Sequence, residues 1–113
     1  MNFSRRHYVG LCLLVAIVLL SRAPFLSAGY GTQMDGWRVA NTARHISETG
    51  NYEVSRFPGF PAHEIICSFL WKGGPLALNG ASAVFGAIAA LFFALIARSM
   101  GLKDWLLASL ALA

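Results

Sequence analysis

The chain has 113 residues, 57% of them hydrophobic and only 12% charged, with a formal charge of +4. An ordinary soluble domain carries about 25% charged residues, so this deficit, with the apolar residues gathered into long runs, predicts a membrane protein. Nucleic acid is excluded as a partner, because its recognition needs a clustered basic face and the Lys and Arg here are scattered.

Arg5 and Arg6 precede an apolar run from Tyr8 to Leu20. As a helix that run rises about 20 Å, short of the roughly 30 Å hydrocarbon core. Continuing through Arg22, Pro24 and Leu26 reaches membrane length, with Arg22 near the far end, where its head can snorkel to the interface. The expected order is a cytoplasmic tail over 1–7 and a first transmembrane helix over 8–27. A cleavable export signal is the rival, and Ser4-Arg5-Arg6-His7-Tyr8-Val9 resembles a twin-arginine signal. The large Leu26 three positions before Ala28 and the further apolar runs downstream favour an uncleaved span.

A polar, aromatic-rich loop is expected over 28–74. Within it Asp35 to Thr49 predicts an amphipathic helix, with Trp37, Val39, Ala40, Ala43 and Ile46 toward one side. Asp35 suits the N-cap or first turn, where a carboxylate meets backbone N–H groups and the positive end of the dipole. Gly50 supplies a left-handed stop. Phe57-Pro58-Gly59-Phe60-Pro61 then forces an extended, turning path. A short helix over 62–71 follows, halted by Gly73-Gly74-Pro75. Both loop helices are expected to lie along the membrane interface. His63 and Glu64 fall in the first turn of the second, where Glu64 reads as a dipole-favoured surface acid.

The second span is expected over 75–98. Leu76 to Ala97 is apolar except for Asn79 and Ser82 and would reach about 33 Å as a helix. Ser82, Gly86 and Ala90 form one small-residue series, and Ala83 with Ala87 another, both suited to close helix packing. A cytoplasmic turn over 99–104 contains Gly101 and Lys103, and a third apolar run occupies 105–113. Nine residues cannot cross a bilayer, so the chain is expected to be the N-terminal part of a larger polytopic protein. Arg5, Arg6, Arg98 and Lys103 flank the spans on one side, which places the N-terminus in the cytoplasm and the loop outside. Cys12 and Cys67 lie in apolar segments without metal or disulfide spacing and read as small hydrophobes.

This order resembles the N-terminal portion of the GT-C membrane glycosyltransferases, especially the bacterial polyprenyl-phosphate-sugar-dependent enzymes related to protein mannosyltransferases and aminoarabinose transferases. The matching pieces are Arg22-Ala23-Pro24, Met34-Asp35-Gly36, the stretch from Ala43 to Tyr52, Arg56 through Pro61, and Gly73-Gly74-Pro75 to Gly101. The resemblance implies an all-α, polytopic helical bundle in the bacterial inner membrane, with an interfacial helical outer loop. It implies an inverting transfer of sugar from a polyprenyl-phosphate donor to a glycan, lipid or protein acceptor. Asp35 would be the catalytic carboxylate and Arg56 the donor-phosphate ligand. The second acid common beside the first in that family is replaced here by Gly36, which leaves a divalent metal open. His45 and His63 are expected to be hydrogen-bonded rather than ligating, and Arg38, Arg44 and Lys72 to face water or headgroups. The alternative is a non-enzymatic small integral-membrane subunit or transporter-like component whose loop helix binds a partner.

Overall fold

The structure is a computed structural model and describes residues 4–112; the outermost parts of the predicted tail over 1–7 and of the run over 105–113 lie outside the described residues. The described residues form helices and turns without strands: α1 (Arg5–Arg22), α2 (Met34–Thr49), α3 (Pro61–Leu70), α4 (Gly74–Ser99) and α5 (Trp105–Leu112), with 3-10 turns at Ala23–Phe25 and Trp71–Gly73. Among the described residues, two helical stretches are long and apolar enough to cross a membrane, Arg5–Phe25 and Pro61–Ser99.

The first helix starts earlier than the apolar pattern predicts. Ser4 is its N-cap, and the Ser4 backbone N–H donates to His7 Nδ1 at 3.1 Å, so Arg5, Arg6 and His7 already lie on the helix. Its other end tightens into the 3-10 turn at Ala23, as the proline at position 24 requires, because proline has no N–H for the helical ladder. The short helix predicted over 62–71 begins instead at Pro61, a proline at the first helical position, where its missing N–H costs nothing. At the end of α2, Gly50 adopts φ 71° and its N–H closes on the Ile46 carbonyl at 2.8 Å.

The chain divides into two compact units. One contains α1, α4 from Ser82 onward, and α5. Its core sets Leu11, Leu14 and Val18 against Ala87, Ala90, Ala94 and Ala97, with Trp105. The buried alanines recur every three or four residues, so α4 presents a flat stripe on which the α1 leucines can lie close. The inward series is thus the one containing Ala83 and Ala87. Ser82 is exposed and Gly86 only half-buried, and of that series only Ala90 is buried. The outward positions of α1 and α4 carry exposed large apolar side chains, among them Leu13, Leu20, Phe92 and Ile96. Near the ends of these helices, the Trp105 ring lies 5.8 Å from the Arg98 guanidinium and 6.2 Å from the His7 ring.

The other unit runs from Phe25 to Ala81 and holds α2, α3 and the start of α4. Ala40 and Ala43 of α2 pack with Cys67 of α3 and Leu78 of α4. The small α2 side chains let the two loop helices approach. Tyr30 covers this core, stacked on Trp71 at 6.1 Å and edge-on to Trp37 at 5.1 Å. Trp37 itself stays half exposed, its indole N–H donating to the Gly31 carbonyl at 3.1 Å. Asn79, a polar interruption of the apolar α4, is turned to carbonyls of the turn that follows the first helical stretch. Its amide donates to Gly29 O at 2.8 Å and Leu26 O at 3.1 Å, with Phe25 O at 3.4 Å. Leu26 and Gly29 lie in the irregular turn past the last helical residue, where no helical ladder supplies donors, and this one side chain serves both.

Candidate functional site

Asp35 and Arg56 stand 21 positions apart in sequence, and the fold brings them together: Arg56 Nη1 donates to Asp35 Oδ2 at 2.6 Å. Both side chains are about half exposed, at 54% for Asp35 and 49% for Arg56, so water and solutes reach them. Asp35 lies in the first turn of α2, but the N-cap is Gln33 and no side chain caps the helix by hydrogen bonding. The N-cap role allowed by the sequence is therefore not the one Asp35 takes. Its carboxylate is turned to the arginine. Arg56 also lies over the Phe60 ring, at 5.3 Å from guanidinium carbon to centroid.

Around the pair a hollow of about 260 Å³ is bounded by Arg38, Ser55, Phe60 and His63 together with Asp35 and Arg56. Arg38, expected to be merely solvated, thus sits beside the pair, and the lining holds two guanidiniums against one carboxylate. The imidazole of His63 lies 3.7 Å from the buried Cys67 sulfur through Nε2. His45 is placed elsewhere, with Nδ1 3.6 Å from Glu53 Oε2, and Arg44 bridges Glu48 one helical turn on, at 2.9 Å. Among the described residues, no group of three or more His, Cys, Asp and Glu side chains is arranged to hold a metal ion.

Gly36 has a steric explanation. A Cβ at this position would collide with the Tyr30 carbonyl oxygen. The backbone of the preceding turn occupies the space a side chain would need, so none fits there without displacing the turn that seats Tyr30.

The path of Arg56 is set by a residue whose role the sequence pattern does not reveal. Glu64, expected as a surface acid, is completely buried. Its carboxylate accepts hydrogen bonds from the Tyr52 hydroxyl at 2.5 Å, the Ser55 hydroxyl at 2.5 Å, the Ser55 N–H at 2.8 Å and the Phe60 N–H at 3.2 Å. A buried carboxylate without partners is prohibitively costly; four donors from one irregular segment offset that cost and fix the segment in return. Ser55 immediately precedes Arg56, so the clasp on Ser55 delivers the guanidinium to Asp35. The hydrogen bond to Glu64 pushes the Tyr52 phenol up from 10.0 to about 12, with burial and the nearby negative charge acting in the same direction. The legible signal for this clasp is a lone acid inside a short apolar helix, preceded at close range by Tyr52 and Ser55, two side chains able to donate to it.

No known protein family, curated protein or solved structure matches the chain.

Proposed function

We propose that the chain forms the outer-loop site of a membrane glycosyltransferase that takes its sugar from a polyprenyl-phosphate donor on the extracytoplasmic face of a bacterial inner membrane. The observation that carries this reading is the Asp35–Arg56 pair, an accessible carboxylate and guanidinium held 2.6 Å apart in the loop between two stretches of spanning length. The low burial of those stretches supports the reading: only 11% of the first and 22% of the second is buried over their most apolar windows, as lipid-facing spans would be.

The chemistry follows from the two groups. An acceptor hydroxyl oxygen attacks the anomeric carbon on the face opposite the phosphate, forming the new glycosidic bond with inversion. The bond from that carbon to the phosphate oxygen breaks, and its electron pair leaves on polyprenyl phosphate. The hydroxyl proton passes to the Asp35 carboxylate. Arg56 binds the donor phosphate, since a guanidinium carries five N–H donors in a fork suited to such an anion and only Nη1 is engaged by Asp35. An arriving phosphate competes with Asp35 for the guanidinium and thereby frees the carboxylate for its hydroxyl.

The test uses membranes containing the protein and a labelled polyprenyl-phosphate hexose, following release of polyprenyl phosphate. Asp35→Asn should lower turnover by about 10²- to 10⁴-fold while abundance and membrane insertion stay normal. Arg56→Lys should raise the donor KM more than it lowers kcat. Full turnover by Asp35→Asn would reduce the pair to a surface ion pair, worth about 0–1 kcal/mol, whereas no turnover by the wild type would support the non-enzymatic membrane-subunit reading. Met34→Cys, labelled by an impermeant thiol reagent in intact cells, reads the orientation independently; protection from outside would place the loop on the wrong face.

A further inference from the structure

A second hollow in the loop unit, of about 570 Å³, shares no lining residue with the Asp35–Arg56 pocket. Its walls include Ile46 of α2 and Ile65 and Phe69 of α3, with Tyr52 and Ser68 among them and Lys72 as the only charged lining residue. The Phe69 side chain is 82% exposed and Ile65 41% exposed, large apolar groups left facing unfilled space. Of the three lining hydroxyls, those of Tyr52 and Ser68 already donate, to Glu64 and to the Ile65 carbonyl, so a ligand meets these two as acceptors and finds its one cation at Lys72. Such a lining suits an amphiphile with an apolar tail and a single anionic head. Its volume falls in the range of about 300–1,000 Å³ usual for ligand sites.

We propose that this groove holds an anionic glycerophospholipid, one acyl chain along Ile46, Ile65 and Phe69 and the phosphate on the Lys72 ammonium. The choice of occupant rests on charge complementarity and on chain position. The lining has a lysine and no carboxylate. Lys72 also sits in the 3-10 turn Trp71–Gly73 between α3 and the apolar α4, and a cation at such a helix junction in a membrane protein can meet lipid phosphates. The inference rests on the membrane part of the proposed function and not on sugar transfer.

The full chain in detergent can be titrated with short-chain phosphatidylglycerol and, separately, phosphatidylcholine, both below their micelle concentrations. Wild type should prefer the anionic lipid by about fivefold, the effect of one interfacial lysine. Lys72→Gln should abolish the preference and Lys72→Arg keep it, while Phe69→Ser should weaken both lipids alike. Lys103→Gln, at another helix boundary, should change nothing. Equal binding of the two lipids by wild type, a preference surviving Lys72→Gln, or one lost equally in Lys103→Gln would overturn the site. Carbonate extraction of membranes separates the two failures. Release of the wild-type protein refutes the membrane reading, whereas retention without lipid preference refutes the groove alone.

Discussion

The unit made of α1, α5 and α4 beyond Ala81 and the unit from Phe25 to Ala81 solve the same problem with different materials. In the first, regular helices satisfy their own backbone, and what joins them is shape: an alanine stripe under Leu11, Leu14 and Val18. In the second, long stretches of chain are not helical, and every bend leaves backbone groups that need partners. There a few polar side chains do the joining, with Glu64 holding the segment from Tyr52 to Phe60 and Asn79 holding the carbonyls from Phe25 to Gly29. Side chains that can reach a solute come from the second kind of construction, because irregular backbone can bring residues as distant as Asp35 and Arg56 to one point.

This contrast predicts where each kind of damage will be felt. Glu64→Ala should be the most severe, destabilising the loop unit by about 3 kcal/mol, since several donors lose a charged acceptor at once. Limited proteolysis should then cut between Tyr52 and Phe60, and the Asp35–Arg56 pair should come apart. Resistance equal to wild type would mean that the clasp is not what orders the segment. Ala94→Leu tests the other construction. Ala94 is completely buried, so the added bulk should cost about 1–3 kcal/mol in thermal unfolding without new cleavage in the loop; damage in both places would erase the distinction. Asn79→Ala should cost about 1 kcal/mol through the lost donors, read as a lower melting temperature in detergent.

The smallest effect concerns pH. Because the Tyr52 phenol is raised to about 12 in the fold, its folded-state pKa exceeds that of the unfolded chain. Its contribution is therefore complete below about pH 10 and is lost as pH rises toward 12. Alkaline titration of tyrosinate absorbance should show a step displaced toward pH 12, and Tyr52→Phe should remove that step together with the alkaline loss of loop stability.

What was legible in the sequence divides along the same line. The long helices were visible because apolar runs of membrane length, Gly50 and the prolines act locally, and the observed ends differ from the expected ones by only a few residues. Asp35 and Arg56 could be singled out one at a time, by order along the chain. Their meeting could not, because it depends on how the segment from Tyr52 to Phe60 bends. Glu64 escapes a sequence reading for the same reason: its position in a first turn is a local fact, whereas its burial is decided by donors 4 to 12 residues upstream. On α4 the two small-residue series were equally visible, and the choice between them fell to the leucines of another helix.

The Asn79 amide has one more implication. It grips carbonyls 50 to 54 positions earlier in the chain, so the intervening segment departs and returns through a single gate. With its doorposts tied, the insert can gain or lose length in its interior, where lengthening a loop adds little entropic cost, without pulling the flanking helical runs apart. Chains built to this plan can therefore vary the segment between the two grips while the turn after the first helical stretch stays fastened to α4.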